Sequence, residues 1–280
     1  MFDIIKKEEL NTTVIKMDIK APLIANKAKP GQFIILRVNK DGERIPLTIA
    51  DHDLINGTIT IIFQVVGATT LLLSKLRVGD QLSDLVGPLG NPSQLDNLKR
   101  VIIVGGGVGS AIAYPLAKAL HEQGCEVTVI LGFRNKELVI LEDSFKQVCD
   151  NLAIMTDDGS YQEKGLVTNK LAEILDIDTK YDEVITIGPL IMMKYVALLT
   201  KKYQVKTIVS MNPIMIDGTG MCGGCRLRVN EQTVFACVDG PDFDGHQVDF
   251  DEAIKRSKMY SDFEHHQYDD TCNLFSKEVE

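Results

Sequence analysis

The 280-residue sequence has no run of five or more lysines and arginines, no internal repeat and no low-complexity segment. Its 30 basic residues stand against 39 acidic ones, a net charge of −9, so it lacks the basic footprint of a protein that binds nucleic acid or anionic membrane. The uncharged run 101–117 contains four glycines and Pro115 and makes a poor membrane span. The first ten residues carry charge from Asp3 onward and lack the apolar core and small-residue cleavage site of a secretory leader. The expectation is a cytoplasmic chain with no nucleic-acid and no membrane partner. In a reducing compartment its six cysteines are poor candidates for structural disulfides. What is present is ordinary globular material, 45% apolar and 25% charged, long enough for about two domains of ~150 residues and an appendage.

Residues 1–98 read as short strands at 12–19, 31–38, 46–51, 58–66 and 81–87, with turns at Asp41-Gly42 and Asn56-Gly57 and one short helix at 70–76. That spacing predicts a small antiparallel β-barrel. A dense turn signal, Gly87 to Pro92, places the boundary within about 91–99. From Arg100 the pattern becomes βαβ alternation, starting with the apolar run 101–104 and a helix that Gly124 stops, which predicts a parallel sheet over 99–212. After Pro213 regular apolar periodicity disappears and glycines crowd in, so the segment 213–280 is expected to lack a core of its own. Residues 253–260 look helical, and the polar, acidic end has no firm pattern.

Four of the six cysteines fall in that last segment, three of them within 16 residues. Asp217, Cys222, Cys225 and Cys237 are separated by four, two and eleven residues. Plant-type ferredoxins hold a 2Fe-2S cluster with Cys-x4-Cys-x2-Cys and a distant fourth Cys. Here aspartate takes the first place, offering the same unit negative charge through a harder donor. Gly218, Gly220, Gly223 and Gly224 suit a loop whose backbone closes over inorganic sulfide. Two other readings stay open: a structural zinc on the three cysteines with Asp217 or His246, and chance grouping of core cysteines. The isolated Cys125, Cys149 and Cys272 read as small buried hydrophobes.

A strand followed by Gly105-Gly106-Gly107-Val108-Gly109-Ser110 and then a helix is the order that presents backbone N–H groups to a pyrophosphate. It departs from Gly-x-Gly-x-x-Gly at Ser110, and the acidic residue expected at the end of the second strand is replaced by Gly132-Phe133-Arg134. The alternative is a tight strand-to-helix turn without ligand. Arg134 fits either a ribose phosphate or a solvated strand end. Asp157 and Gly188 end later strands on the edge where ligands of open α/β sheets bind. In the first domain, Arg44-Ile45-Pro46-Leu47-Thr48 offers a cation for a diphosphate and a hydroxyl for a flavin edge, or is an ordinary strand. Gly67-Ala68-Thr69-Thr70 is either a helix cap or a phosphate-facing helix start.

Together, Arg44-x-Pro46-Leu47-Thr48, Gly67-x-x-Thr70, Gly87-Pro-Leu-Gly90, Gly105 to Gly109, Gly132-Phe-Arg134 and the Asp/Cys/Cys/Cys loop occur in an order that resembles the ferredoxin-reductase-like electron-transfer subunits. The resemblance spans nearly the whole chain. It is nearest to the small subunits of NADH-dependent reduced ferredoxin:NADP+ oxidoreductases, the sulfide dehydrogenase beta-subunit type, and more distant to the electron-transfer subunit of dihydroorotate dehydrogenase B, from which Asp217 sets it apart. It implies an FAD-binding barrel (1–98), an α/β NAD(P)-binding domain (99–212) and a 2Fe-2S segment (213–280). Arg44, Pro46, Leu47, Thr48, Gly67, Thr69, Thr70 and Gly87 would hold FAD. Gly105, Gly106, Gly107, Val108 and Gly109, with Arg134, Asp157 and Gly188, would line the NAD(H) site. Asp217, Cys222, Cys225 and Cys237 would ligate the cluster. The implied partner is a larger flavoprotein with 4Fe-4S clusters, which reaches ferredoxin through the complex. No catalytic side chain is expected, because hydride transfer requires no acid or base. A dihydroorotate-oxidising complex and a zinc-containing nucleotide-binding redox regulator are the alternatives.

Overall fold

The computed structural model describes residues 2–277. Alternating apolar residues in the first 90 build seven antiparallel strands: β1 (Phe2–Glu9), β2 (Val14–Lys20), β3 (Phe33–Arg37), β4 (Arg44–Asp53), β5 (Thr58–Gln64), β6 (Gln81–Leu82) and β7 (Asp84–Leu89). Helices α1 (Pro22–Ala25) and α2 (Ala68–Lys75) interrupt them. The strand order is β6-β1-β2-β5-β4-β3-β7, and β6 runs into β7 through Ser83, so the two edges meet in a barrel. Met17, Ile19, Ile59, Ile61 and Phe63, at every second position, fill it. β1 and α1 had no clear counterpart in the sequence pattern.

The parallel strands follow as β8 (Arg100–Gly106), β9 (Glu126–Phe133), β10 (Asn151–Thr156), β11 (Glu163–Lys164), β12 (Glu183–Ile187) and β13 (Thr207–Ser210). Between them lie α3 (Gly109–Glu122), α4 (Glu142–Lys146), α5 (Val167–Ile177) and α6 (Leu190–Tyr203). The β-branched runs 101–104 and 127–131 are buried on both faces, as strands covered by helices on each side require. β8 pairs β9 on one edge and β12 on the other, so the chain reverses its direction of winding at β8. The crevice at the carboxyl end of that reversal is where open α/β sheets take ligands.

The last segment contributes the hairpin β14 (Arg226–Val229) and β15 (Gln232–Phe235), then α7 (Ala236–Asp239), β16 (Asp242–Asp244), α8 (Phe250–Ser257) and α9 (Ser261–Lys277). β16 adds antiparallel to β13 and closes the sheet order β11-β10-β9-β8-β12-β13-β16. The segment therefore supplies a strand to the second domain's sheet. Its apolar side chains are not left without a core either. Met215, Cys225, Leu227, Ala236, Cys237 and Phe250 join Phe33 and Ile35 of β3 and Met193, Ala197, Val209 and Met211 in one cluster. β3 makes this possible because its alternate residues, Ile34 and Leu36, face the barrel interior. The acidic end is helical over Ser261–Lys277, and this helix lies against α2 of the barrel. No helix among the described residues is long and apolar enough to cross a membrane.

Candidate functional site

The residues singled out in the sequence fall into three groups in the structure. The first is the glycine loop after β8. Gly107 adopts a left-handed φ of 55°, and its N–H donates to the Gly132 carbonyl (2.8 Å), turning the chain into α3. A Cβ on Gly109 would stand 2.5 Å from the Ile187 carbonyl oxygen, and one on Gly106 would collide with Met192 Sδ. Gly109 thus brings α3 onto the sheet, a duty that the usual fingerprint gives to its third glycine. That accounts for the departure at Ser110, which is fully buried with a hydroxyl that has no partner among the described residues. Gly188, after β12, packs against Gly106. Arg134 and Asp157 are exposed on adjacent strand ends, where the Asp157 N–H donates to Phe133 (3.0 Å). Gly105 to Gly109, Arg134, Asp157 and Gly188 therefore share the carboxyl edge of β8, β9, β10 and β12.

The second group lies on the barrel. Pro46, Leu47 and Thr48 sit half-buried on β4 opposite Ile35, Ile34 and Phe33 of β3. Gly67 precedes α2, and Thr70 Oγ1 accepts the Val66 and Gly67 N–H groups at 3.0 Å each, so Thr70 closes the cap. Thr69 is buried and its hydroxyl donates to Glu43 (2.9 Å). Gly87 lets β7 approach β3, since a Cβ there would be 2.7 Å from Ile34 Cγ2. Arg44 Nη1 pairs with Asp84 Oδ2 at 2.7 Å, and its Nε donates to the carbonyl of Ile216 at 2.9 Å.

The third group is the loop 217–225 with Cys237. The hairpin explains half of it. Cys225 precedes β14 and Cys237 follows β15, and the Arg226–Phe235 pairing brings their Sγ atoms to 3.2 Å. Both are buried, at 1% and 2% exposure, and burial followed by the neighbouring Cys225 pushes the Cys237 thiol up to about 12. Half-buried Asp217 and exposed Cys222 form the other half. The Asp217 carboxylate accepts the N–H groups of Thr219 (2.7 Å) and Cys222 (2.6 Å), and the Thr219 bond above all holds it below the usual carboxylate range. Cys222 Sγ accepts the Gly224 N–H at 3.4 Å.

These donors stand as two pairs, and among the described residues no three His, Cys, Asp or Glu side chains surround one point. A two-iron cluster takes a pair of protein donors on each iron, so the set fits it; a tetrahedral zinc needs one shared centre. His246, the other candidate zinc ligand, is engaged 3.0 Å from Thr200 Oγ1. Gly218, Gly220 and Gly223 have φ of 77°, 85° and 66°, a conformation that favours glycine, whereas Gly224 does not need it. Arg256, which donates to the Gly224 carbonyl at 3.3 Å, had no signature in the sequence. Cys125 is buried, its thiol pushed up to about 11 by burial, while Cys149 and Cys272 are half-buried.

Comparison with known proteins places the chain in a family. Residues 212–249 match the iron-sulfur cluster binding domain of dihydroorotate dehydrogenase B. A chain of the NADH-dependent reduced ferredoxin-NADP oxidoreductase structure, described for flavin-based electron bifurcation, superposes with a TM-score of 0.91, 44% identity and 98% coverage of both chains. The Streptococcus pneumoniae (strain R6) electron transfer subunit of dihydroorotate dehydrogenase B is 35% identical over 86% of this chain and 94% of its own. The chain belongs to this family of electron-transfer subunits. A Thermotoga maritima homologue of that subunit is 46% identical over 95% of this chain and 94% of its own. As a member, the chain is an oxidoreductase subunit with the ferredoxin-reductase-like fold, a barrel joined to a parallel α/β sheet.

Proposed function

We propose that the chain exchanges hydride between NAD(H) and FAD and single electrons between FAD and a 2Fe-2S cluster, as one subunit of a complex linking NAD(H), NADP(H) and ferredoxin. Residues 1–98 form the FAD-binding unit, 99–212 the NAD(P)-binding unit and 213–280 the cluster segment. What carries the reading is the seat of the cluster loop. It rests on β3 and β7 of the barrel, where a Cβ on Gly218 would lie 2.6 Å from Leu89 and 3.1 Å from Ile35, while β16 of the same segment completes the nucleotide sheet.

FAD, when bound, supplies the conversion between a two-electron donor and a one-electron acceptor. The residues of the chain bind and orient. Gly67, Thr69 and Thr70 at the start of α2, with Arg44, Pro46, Leu47, Thr48 and Gly87 beside them, hold FAD. The first turn of α3, in which the Ser110 and Ala111 N–H groups donate to the Gly107 (3.2 Å) and Val108 (2.9 Å) carbonyls, faces the carboxyl edge and would receive the nucleotide pyrophosphate with Gly105, Gly106, Gly107, Val108 and Gly109. Arg134, Asp157 and Gly188 line its rim. Asp217 and Cys222 would hold one side of the cluster, and Cys225 and Cys237 the other. No side chain is needed to move a proton in hydride transfer, so the rate depends on how these groups set ring stacking and separation.

The partner is a larger flavoprotein with 4Fe-4S clusters, through which ferredoxin is reached. Anaerobically purified protein is expected to contain FAD and to reduce a dye acceptor with NADH. Flavin-free protein that binds nucleotide and lacks that activity would point instead to a regulator. Co-purification with an FMN-containing barrel subunit would assign it to dihydroorotate oxidation.

A further inference from the structure

We propose that Arg44 is a positioning residue for the cluster loop, so that one guanidinium joins the flavin site to the geometry around Asp217. This rests on the iron–sulfur reading above. Arg44 leaves β4 of the barrel with its side chain only 28% exposed, and it spends two donors within the protein. Nη1 pairs with Asp84, itself 4.0 Å from Arg37 Nη2, and Nε donates to the carbonyl of Ile216. Nη2 has no partner among the described residues. A guanidinium is a rigid planar fork, so fixing Nε and Nη1 also fixes the direction in which Nη2 can meet a phosphate oxygen.

The residue that Arg44 holds is the one before Asp217. On the other side of Asp217, Gly218 is pressed against Leu89 and Ile35 of the barrel. The carboxylate donor is therefore anchored to the barrel on both flanks. Its own oxygens accept N–H groups from Thr219 and Cys222, so a shift of the 216–217 backbone would be passed to the Cys222 thiol. The thiolate end is secured elsewhere, by Arg256 of α8 on the Gly224 carbonyl. The two ends of the loop thus answer to different domains, and only the Asp217 end can sense what Arg44 holds. A charged donor strengthens the Ile216 hydrogen bond. Its positive charge beside the loop also favours the reduced, more negative cluster.

The test uses the full chain, prepared anaerobically and stripped of FAD, with redox titration of the cluster followed by electron paramagnetic resonance. Arg44→Gln is expected to lower the reduced-to-oxidised ratio at fixed ambient potential by about fivefold, which is ~40 mV at 59 mV per tenfold for one electron. Arg44→Lys keeps the charge but not the fork. It is expected to recover most of the potential while its g-values still differ from wild type, and it carries the test if Arg44→Gln does not fold. Wild-type g-values and potential in both FAD-free variants, with only weaker FAD binding, would overturn the proposal. Wild-type protein without iron and sulfide would overturn the iron–sulfur reading and the proposal together.

Discussion

Two glycine-rich loops dominate the molecule, and they are glycine-rich for different reasons. The loop at 105–109 is built inside one sheet. Gly106 and Gly109 exist because neighbouring chain passes too close for a Cβ, and Gly107 because the backbone turns left-handed. The loop at 218–224 lies between units, and three of its four glycines are there for their positive φ. Gly218 alone combines that φ with a close approach, to the barrel. A nucleotide loop therefore tolerates little change in volume, while the cluster loop is sensitive mainly to backbone direction.

The sharpest way to break this contrast is Gly109→Ala. The methyl would meet backbone atoms of Ile187 and Gly188, which cannot rotate away, so a loss of about 3 kcal/mol is expected in chemical denaturation despite the gain in helix propensity. A loss below about 0.5 kcal/mol would show that the packing there is not tight. Gly218→Ala should cost less, about 1–2 kcal/mol for the left-handed conformation, but should also lower iron retention, which Gly109→Ala should not.

A pH series examines how the cluster segment joins the sheet. Burial, more than any other cause, raises the Asp242 carboxyl above the usual carboxylate range, although Oδ2 accepts from Ser93. The folded state thus favours the protonated form. The stability tied to it is fully present below the unfolded value, about 4, and is lost as pH rises through the folded value. Asp242→Asn should flatten that decline as pH rises above about 4; parallel curves for the two proteins would contradict it. The smallest effect belongs to Gly224→Ala. Its Cβ would find its nearest neighbour at 3.4 Å and needs no positive φ, so a change within about 0.5 kcal/mol is expected, with the iron content intact.

Much of this was legible because the chemistry is local in sequence. Asp217, Cys222, Cys225 and Cys237 carry their spacing openly, and Gly105 to Gly109 follow a β-branched strand. Alternation exposed the barrel strands, yet it could not say that Phe33 and Ile35 on the outer face of β3 would be covered by the cysteine segment. β16 was invisible, since Asp-Phe-Asp has no strand pattern and its partner lies some thirty residues upstream. The Arg44–Ile216 bond was hidden for another reason: it ends on a backbone carbonyl, which leaves no trace in residue identity. The acidic end gave no pattern because α9 shows little amphipathic contrast and its residues 261–272 are mostly exposed.

The central claim is that Asp217 with Cys222, and Cys225 with Cys237, serve as the two donor pairs of one 2Fe-2S cluster. It is tested most directly by metal and acid-labile sulfide analysis of anaerobically purified protein. Iron and sulfide in equal amounts, both lost in Cys225→Ser, is the predicted result; zinc without sulfide would contradict it.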